Sequence, residues 1–157
     1  MLIILLPKCT QECVVNAIDS LTETIGLHYF RKHFPVILTD NGSEFKNPQG
    51  IEKTKDGKHR TYVFYCDPYV SNQKARLEKN HEYIRYVLPK AKASFEELTE
   101  EKVLLLMNHI NSVKRDSLNR HSPFKLSQLL LDPKIHEVLH LEEIAPDEVN
   151  LTPELTK

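Results

Sequence analysis

The sequence predicts an α/β layered domain, and three observations carry that expectation. Apolar runs at residues 2–6, 35–39 and 61–66 have strand composition, and the last two are closed by Asp40-Asn41-Gly42 and Asp67-Pro68, which are strong turn formers. An amphipathic stretch separates the first run from the second, and several helix starts follow the third. The resulting order of strand, helix, strand, strand and then helices favours helices layered on a sheet.

Taken in order, residues 2–6 read as a fully buried strand ending at Pro7. Thr10 is placed to cap a helix with Glu12 in its first turn, where the helix dipole favours an acid. Val14, Ile18, Leu21 and Ile25 then form one apolar stripe, and Gly26 is the expected stop. Residues 46–60 are polar, with turn signals at Asn47-Pro48 and Asp56-Gly57, and predict a loop or a short helix flanked by loops. Residues 72–88 turn helical, with Leu77, Ile84 and Leu88 on one face and Pro89 as the end. Thr99 begins a further helix, with Glu100 and Glu101 in its first turn. Ser122-Pro123 and Asp132-Pro133 are two more starts, each a cap residue followed by proline at the first helical position. The expected division is 1–131 as the main domain and 132–157 as an acidic C-terminal helix or tail, in which Ile135, Val138, Leu139 and Leu141 supply a packing face.

The net charge of −1 hides an asymmetry. Residues 132–157 hold seven acidic and two basic side chains, which leaves residues 1–131 with 19 basic against 15 acidic. A mildly basic body is compatible with a polyanionic partner. Three cysteines, Cys9, Cys13 and Cys66, have no second Cys or His pair at zinc spacing and read as free thiols in a reducing, cytoplasmic setting. The apolar opening is too short for a signal peptide, and no stretch approaches the ~18 apolar residues of a membrane span, so no membrane partner is expected.

Chemistry in open α/β sheets collects at the carboxyl ends of strands, where Asp40 stands. Asp40 also suits a turn in which it bonds its own backbone, and position alone does not separate the two roles. On the helix after residue 72, Glu78 and Glu82 share a face edged by Lys74 and Arg85. That pattern fits a solvated salt-bridge ladder, Lys74–Glu78 and Glu82–Arg85, or a carboxylate aimed at the strand end. Carboxylates meeting there would suit Mg²⁺, a hard cation that prefers oxygen ligands. Lys74, Arg76, Lys79, Arg85, Lys90 and Lys92 surround these acids, as phosphate contacts or as an ordinary helix surface.

Four stretches, taken in order, resemble the integrase-core (DDE) transposases of the insertion-sequence thirty family. Residues 39–45 (TDNGSEF) resemble the segment with the second catalytic aspartate, and residues 65–69 (YCDPY) the strand and turn before the catalytic helix. Gln73-Lys74, Glu78-Lys79-Asn80-His81-Glu82, Ile84-Arg85 and Leu88-Pro89-Lys90 resemble that helix. His109-Ile110-Asn111-Ser112, Lys114-Arg115, Leu118-Asn119 and Ser122-Pro123-Phe124 resemble the closing segment. The resemblance covers about residues 35 to 126 and implies a ribonuclease-H-like integrase core lacking its first strand, followed by C-terminal helices.

It further implies that Asp40 and Glu78 are catalytic and metal-holding, with 37 residues between them, and that Mg²⁺ (or Mn²⁺) is the cofactor. Lys74, Arg76, Lys79, Asn80, His81, Arg85 and Lys90 would face double-stranded DNA, both transposon ends and target. Cleavage and strand transfer by attack of water and then of a DNA 3′-hydroxyl, self-association, and a bacterial nucleoid-associated location belong to the same implication. The sequence departs from the family at three places. The first catalytic aspartate has no counterpart, because the only earlier acids, Glu12, Asp19 and Glu23, fall on the predicted first helix; the strand that bears it is expected to precede Met1. Ala75 and Ala91 stand where glycine is usual, and Asn72 where an aromatic is usual. A missing central strand would also leave a sheet edge open. A chain so truncated is expected not to transpose alone. The competing readings are a non-catalytic remnant that binds DNA or protein, and a metal-dependent ribonuclease-H-like nuclease or resolvase.

Overall fold

The computed structural model describes residues 1–67, 75–89 and 97–156, with side chains described for all but residues 75–78. The chain divides into two compact units, Leu6–Gln73 and Met1–Leu5 with Lys74–Lys157.

The first unit opens with helix α1 (Gln11–Ile25), whose Thr10 cap accepts a hydrogen bond from the Cys13 N–H. Such caps contribute about 1 kcal/mol by satisfying an orphan donor. Gly26 ends it at φ +88°, a conformation that favours glycine, and α2 (Leu27–His33) follows at once. Strand β1 (Val36–Thr39) runs parallel to β2 (Tyr62–Tyr65), with Val36 opposite Tyr62 and Thr39 opposite Tyr65. A parallel pair needs a crossover. Residues 46–60 supply it, as α3 (Pro48–Glu52) and a turn closed by the Lys53–His59 bridge. Asn47-Pro48, expected as a turn, is a helix cap followed by proline at the first position.

Ile25, Phe30 and Ile51 are fully buried in this unit, and Val14 nearly so, while Ile18 and Leu21 of the predicted stripe are half-buried. Arg60 is the largest side chain fully enclosed with them. Its Nη1 donates to Asp19 Oδ1 at 2.6 Å and to Thr22 Oγ1 at 3.1 Å, while Nε and Nη2 donate to the Ile51 and Gly50 carbonyls at 2.7 Å. One guanidinium therefore ties α1 to α3. The sheet is covered unevenly: Val36, Leu38, Tyr62 and Phe64 share one face and are each about half exposed.

The second unit is helical: α4 (Ala75–Val87), α5 (Glu100–Ser112), α6 (Pro123–Leu130) and α7 (Pro133–Val138). Thr99, Ser122 and Asp132 cap the last three through their side chains, with proline leading α6 and α7. Val87, Leu106 and Ile110 form the core, joined by Tyr83, Ile84, Leu88, Leu151 and Leu155. Residues 2–6 form no strand. Met1 and Ile3 pack on this cluster, the Met1 ammonium and carbonyl bond the Asn111 side chain, and the Ile3 N–H points at Met107 Sδ. The apolar run is an extended strap over helices. The region after Asp132 supplies the expected helix, with Ile135 buried, and its tail reaches the core through Leu151 and Leu155. Among the described residues, no helix is long and apolar enough to cross a membrane.

Candidate functional site

The two parallel strands end together. The Cys66 N–H continues the ladder to the Thr39 carbonyl at 2.7 Å, which places Asp40 and Asp67 just beyond the carboxyl ends of neighbouring strands. Asp40 is exposed, and its Oδ1 accepts the Gly42 N–H at 3.1 Å. The side chain thus makes the turn bond expected of an Asp in this position. The chain then tightens into a 3-10 turn, Ser43–Phe45, whose Phe45 carbonyl accepts from the Tyr65 hydroxyl at 2.7 Å. That bond anchors the turn after β1 to the end of β2. Asp67 was read from sequence only as a turn former, and the strand pairing brings it to the same sheet end.

Glu78 lies on α4, in the second unit, and its side chain is outside the described residues. So are the side chain of Arg76 and the whole of Lys74 and Lys90. Asp40 and Glu78 are thus each placed within their own unit. Glu82 is settled: Lys79 Nζ lies 2.5 Å from its Oε2, an i, i+3 pair within α4. The expected Glu82–Arg85 rung is therefore replaced by Lys79–Glu82. Glu82, through its hydrogen bond and charge, raises the Lys79 pKa. Both groups are exposed, so the pair adds little stability.

Asn80 is engaged by the protein itself. Its Oδ1 accepts from Arg115 Nη1 at 2.9 Å, and the Arg115 guanidinium lies over the Tyr83 ring, 4.9 Å from its centroid. Asn80 and Tyr83 are three apart on α4 and present one face, so Arg115 holds that helix from the segment after α5. Burial lowers the Arg115 pKa, and among the described residues its enclosed Nε and Nη2 have no hydrogen-bond partner. Arg115 stands in the sequence only as part of a motif; nothing local signals a contact 35 residues away. His81 and Arg85 are exposed on α4, with no side-chain hydrogen bond or ion pair among the described residues.

Hard cations take carboxylate oxygens at strand ends readily, and exposed Asp40 fits that donor chemistry. Among the described residues no three His, Cys, Asp or Glu side chains gather closely enough to hold a metal. Of the acids upstream of Asp40, Asp19 is paired with buried Arg60 and Glu23 with Lys55 at 3.6 Å, while Glu12 is exposed in the first turn of α1. All three cysteines are free thiols. Cys9 has its pKa raised, first by desolvation and then by Glu44, which keeps it protonated and a poor nucleophile. Comparison with protein-family models, curated proteins and solved structures finds no match for this chain.

Proposed function

We propose that this chain is part of the catalytic core of an integrase-type transposase, with Asp40 and Glu78 as two of its metal-holding acids. The observation that carries the reading is the ordered array of four motif segments, within which Asp40 follows a parallel strand and Glu78 sits on helix α4. Pairing of Glu82 with Lys79 supports Glu78 as the acid of that helix. Asp40 and Glu78 would hold Mg²⁺ or Mn²⁺, which when bound makes an attacking oxygen more nucleophilic and offsets charge on the leaving oxygen. The exposed cations of α4, Arg85 first, would hold the DNA backbone. Asn80 supports the site indirectly, because its side-chain oxygen is taken by Arg115.

A third acid is required by the family pattern, and Glu12, Asp19 and Glu23 on α1 do not supply it. The second reading is a piece that binds DNA or transposase without catalysis. The two readings separate in one experiment. The chain is extended by an aspartate-bearing first strand and given DNA with free 3′-hydroxyl ends and Mg²⁺. Strand joining that is lost in both Asp40→Asn and Glu78→Gln is the expected result. Joining retained in either variant refutes the assignment of that acid, and no joining in the extended chain leaves the binding role as the better reading.

A further inference from the structure

A recess of about 670 Å³ opens in the second unit between the end of α5, the loop before α6 and the segment around residue 144. Its rim is basic. Lys114, Arg120, His121 and Lys125 line it, against the single carboxylate of Glu143, which pairs with Lys125 at 2.7 Å. The side chains of Lys114, Arg120 and His121 make no hydrogen bond or ion pair among the described residues. Three permanent cations thus face one acid, with an imidazole beside them.

The loop that carries them is held in shape. Arg115 donates its N–H to the His121 carbonyl at 3.2 Å and accepts the Arg120 N–H at 3.0 Å, while Asn119 and Arg120 both take left-handed backbone conformations. Arg120 and His121 are therefore presented by a closed turn.

The kind of ligand follows from which donors remain. At the N-terminus of α6, Ser122 Oγ already accepts the Lys125 N–H, and Pro123 has no N–H to give. A small, enclosed phosphate site is built from converging backbone donors. Here the available donors are long side chains spaced round an open recess whose lining also includes Leu129, Ile144 and Pro146. Such an arrangement tolerates variation in position and suits a phosphodiester backbone running across it.

We propose that this recess is a DNA-backbone contact, made by Lys114 and Arg120, with residues separate from the acids Asp40 and Glu78. That the polyanion is DNA rests on the proposed function; the cationic recess does not.

The test is fluorescence anisotropy of a labelled DNA duplex with the full chain, in EDTA, over a salt series. The Lys114→Gln, Arg120→Gln double variant is expected to bind about tenfold or more weakly near 0.1 M salt. Its log–log salt slope should be shallower by about 2, since each lost phosphate contact removes about 0.9. Single Lys114→Gln, at an exposed side chain, should remove about half of that slope change and covers the case in which the double variant misfolds. Unchanged slope in a folded variant overturns the proposal. So does an equal loss in Lys55→Gln, Lys58→Gln, whose cations are already paired with Asp19, Glu23 and Asp56, because it would mean diffuse attraction. A chain that binds no duplex overturns it as well. Binding in EDTA reads no metal-dependent step, so the recess and the catalytic assignment fail independently.

Discussion

Arg60 shows what a single buried charge demands of its neighbours. Every nitrogen of its guanidinium has an acceptor, and Asp19 supplies the opposite charge at 2.6 Å with both side chains almost wholly enclosed. Removing one member of such a pair strands the other in a medium that solvates it poorly. Asp19→Ala is therefore expected to lower unfolding free energy by about 3–5 kcal/mol in urea melts. A loss below about 1 kcal/mol would show that water reaches Arg60. None of this was legible in the sequence, where Asp19 looked like one more polar position on a helix and Arg60 like the end of a loop.

His109 is a second residue whose environment sets a measurable property. It is buried on α5, and its Nδ1 accepts the Asn150 N–H at 3.1 Å, which requires that nitrogen to be unprotonated. Burial lowers its pKa from the ordinary 6.5, with Glu148 opposing more weakly. The unfolded chain then binds the proton more readily than the folded one. Stability from this group is complete above pH ~6.5 and declines as the pH falls from there through the folded-state pKa. The urea midpoint should drop between pH 7 and pH 5, and His109→Gln should flatten that dependence. A slope that survives the substitution unchanged would assign it to other groups.

Among the elements, helices were the most legible because their signals are local. Thr10, Thr99, Ser122 and Asp132 cap the helices they were expected to cap, since a cap needs only a side-chain oxygen beside free N–H groups. Residues 2–6 were misread for a physical reason: a short apolar run has no period, and a strand and a strap over helices need the same composition. Helix α4 depends on a partner that sequence does not reveal. Arg115 joins it through Asn80 and Tyr83, a hydrogen bond and a cation–ring contact worth about 1–2 kcal/mol together. Arg115→Ala should speed amide hydrogen exchange across α4 more than across α6, and Arg115→Lys should restore only part of the protection, lacking the planar fork. Equal protection of α4 in the parent and in Arg115→Ala would mean that the clamp is not what holds the helix.

For the whole molecule, the sequence predicted α/β layering, and what forms is two parallel strands with seven helices among the described residues. The half-exposed face bearing Val36, Leu38, Tyr62 and Phe64 shows how incompletely so small a sheet is covered. The candidate site was legible in part. Asp40 could be placed at a strand end because an apolar run and a turn signal adjoin in sequence. Its relation to Glu78 depends on how distant segments come together, which no local pattern encodes. Asp40 has a turn role that needs no metal, so its metal-holding role has to be tested directly.

The most direct measurement is a Mn²⁺ titration of the chain followed by electron paramagnetic resonance, with Asp40→Asn and Glu78→Gln alongside. The parent chain is expected to take up Mn²⁺, and each substitution to weaken uptake about tenfold or more, as for loss of a carboxylate ligand. Uptake that is undiminished in both variants, or absent in the parent, would contradict it and leave Asp40 as a turn residue.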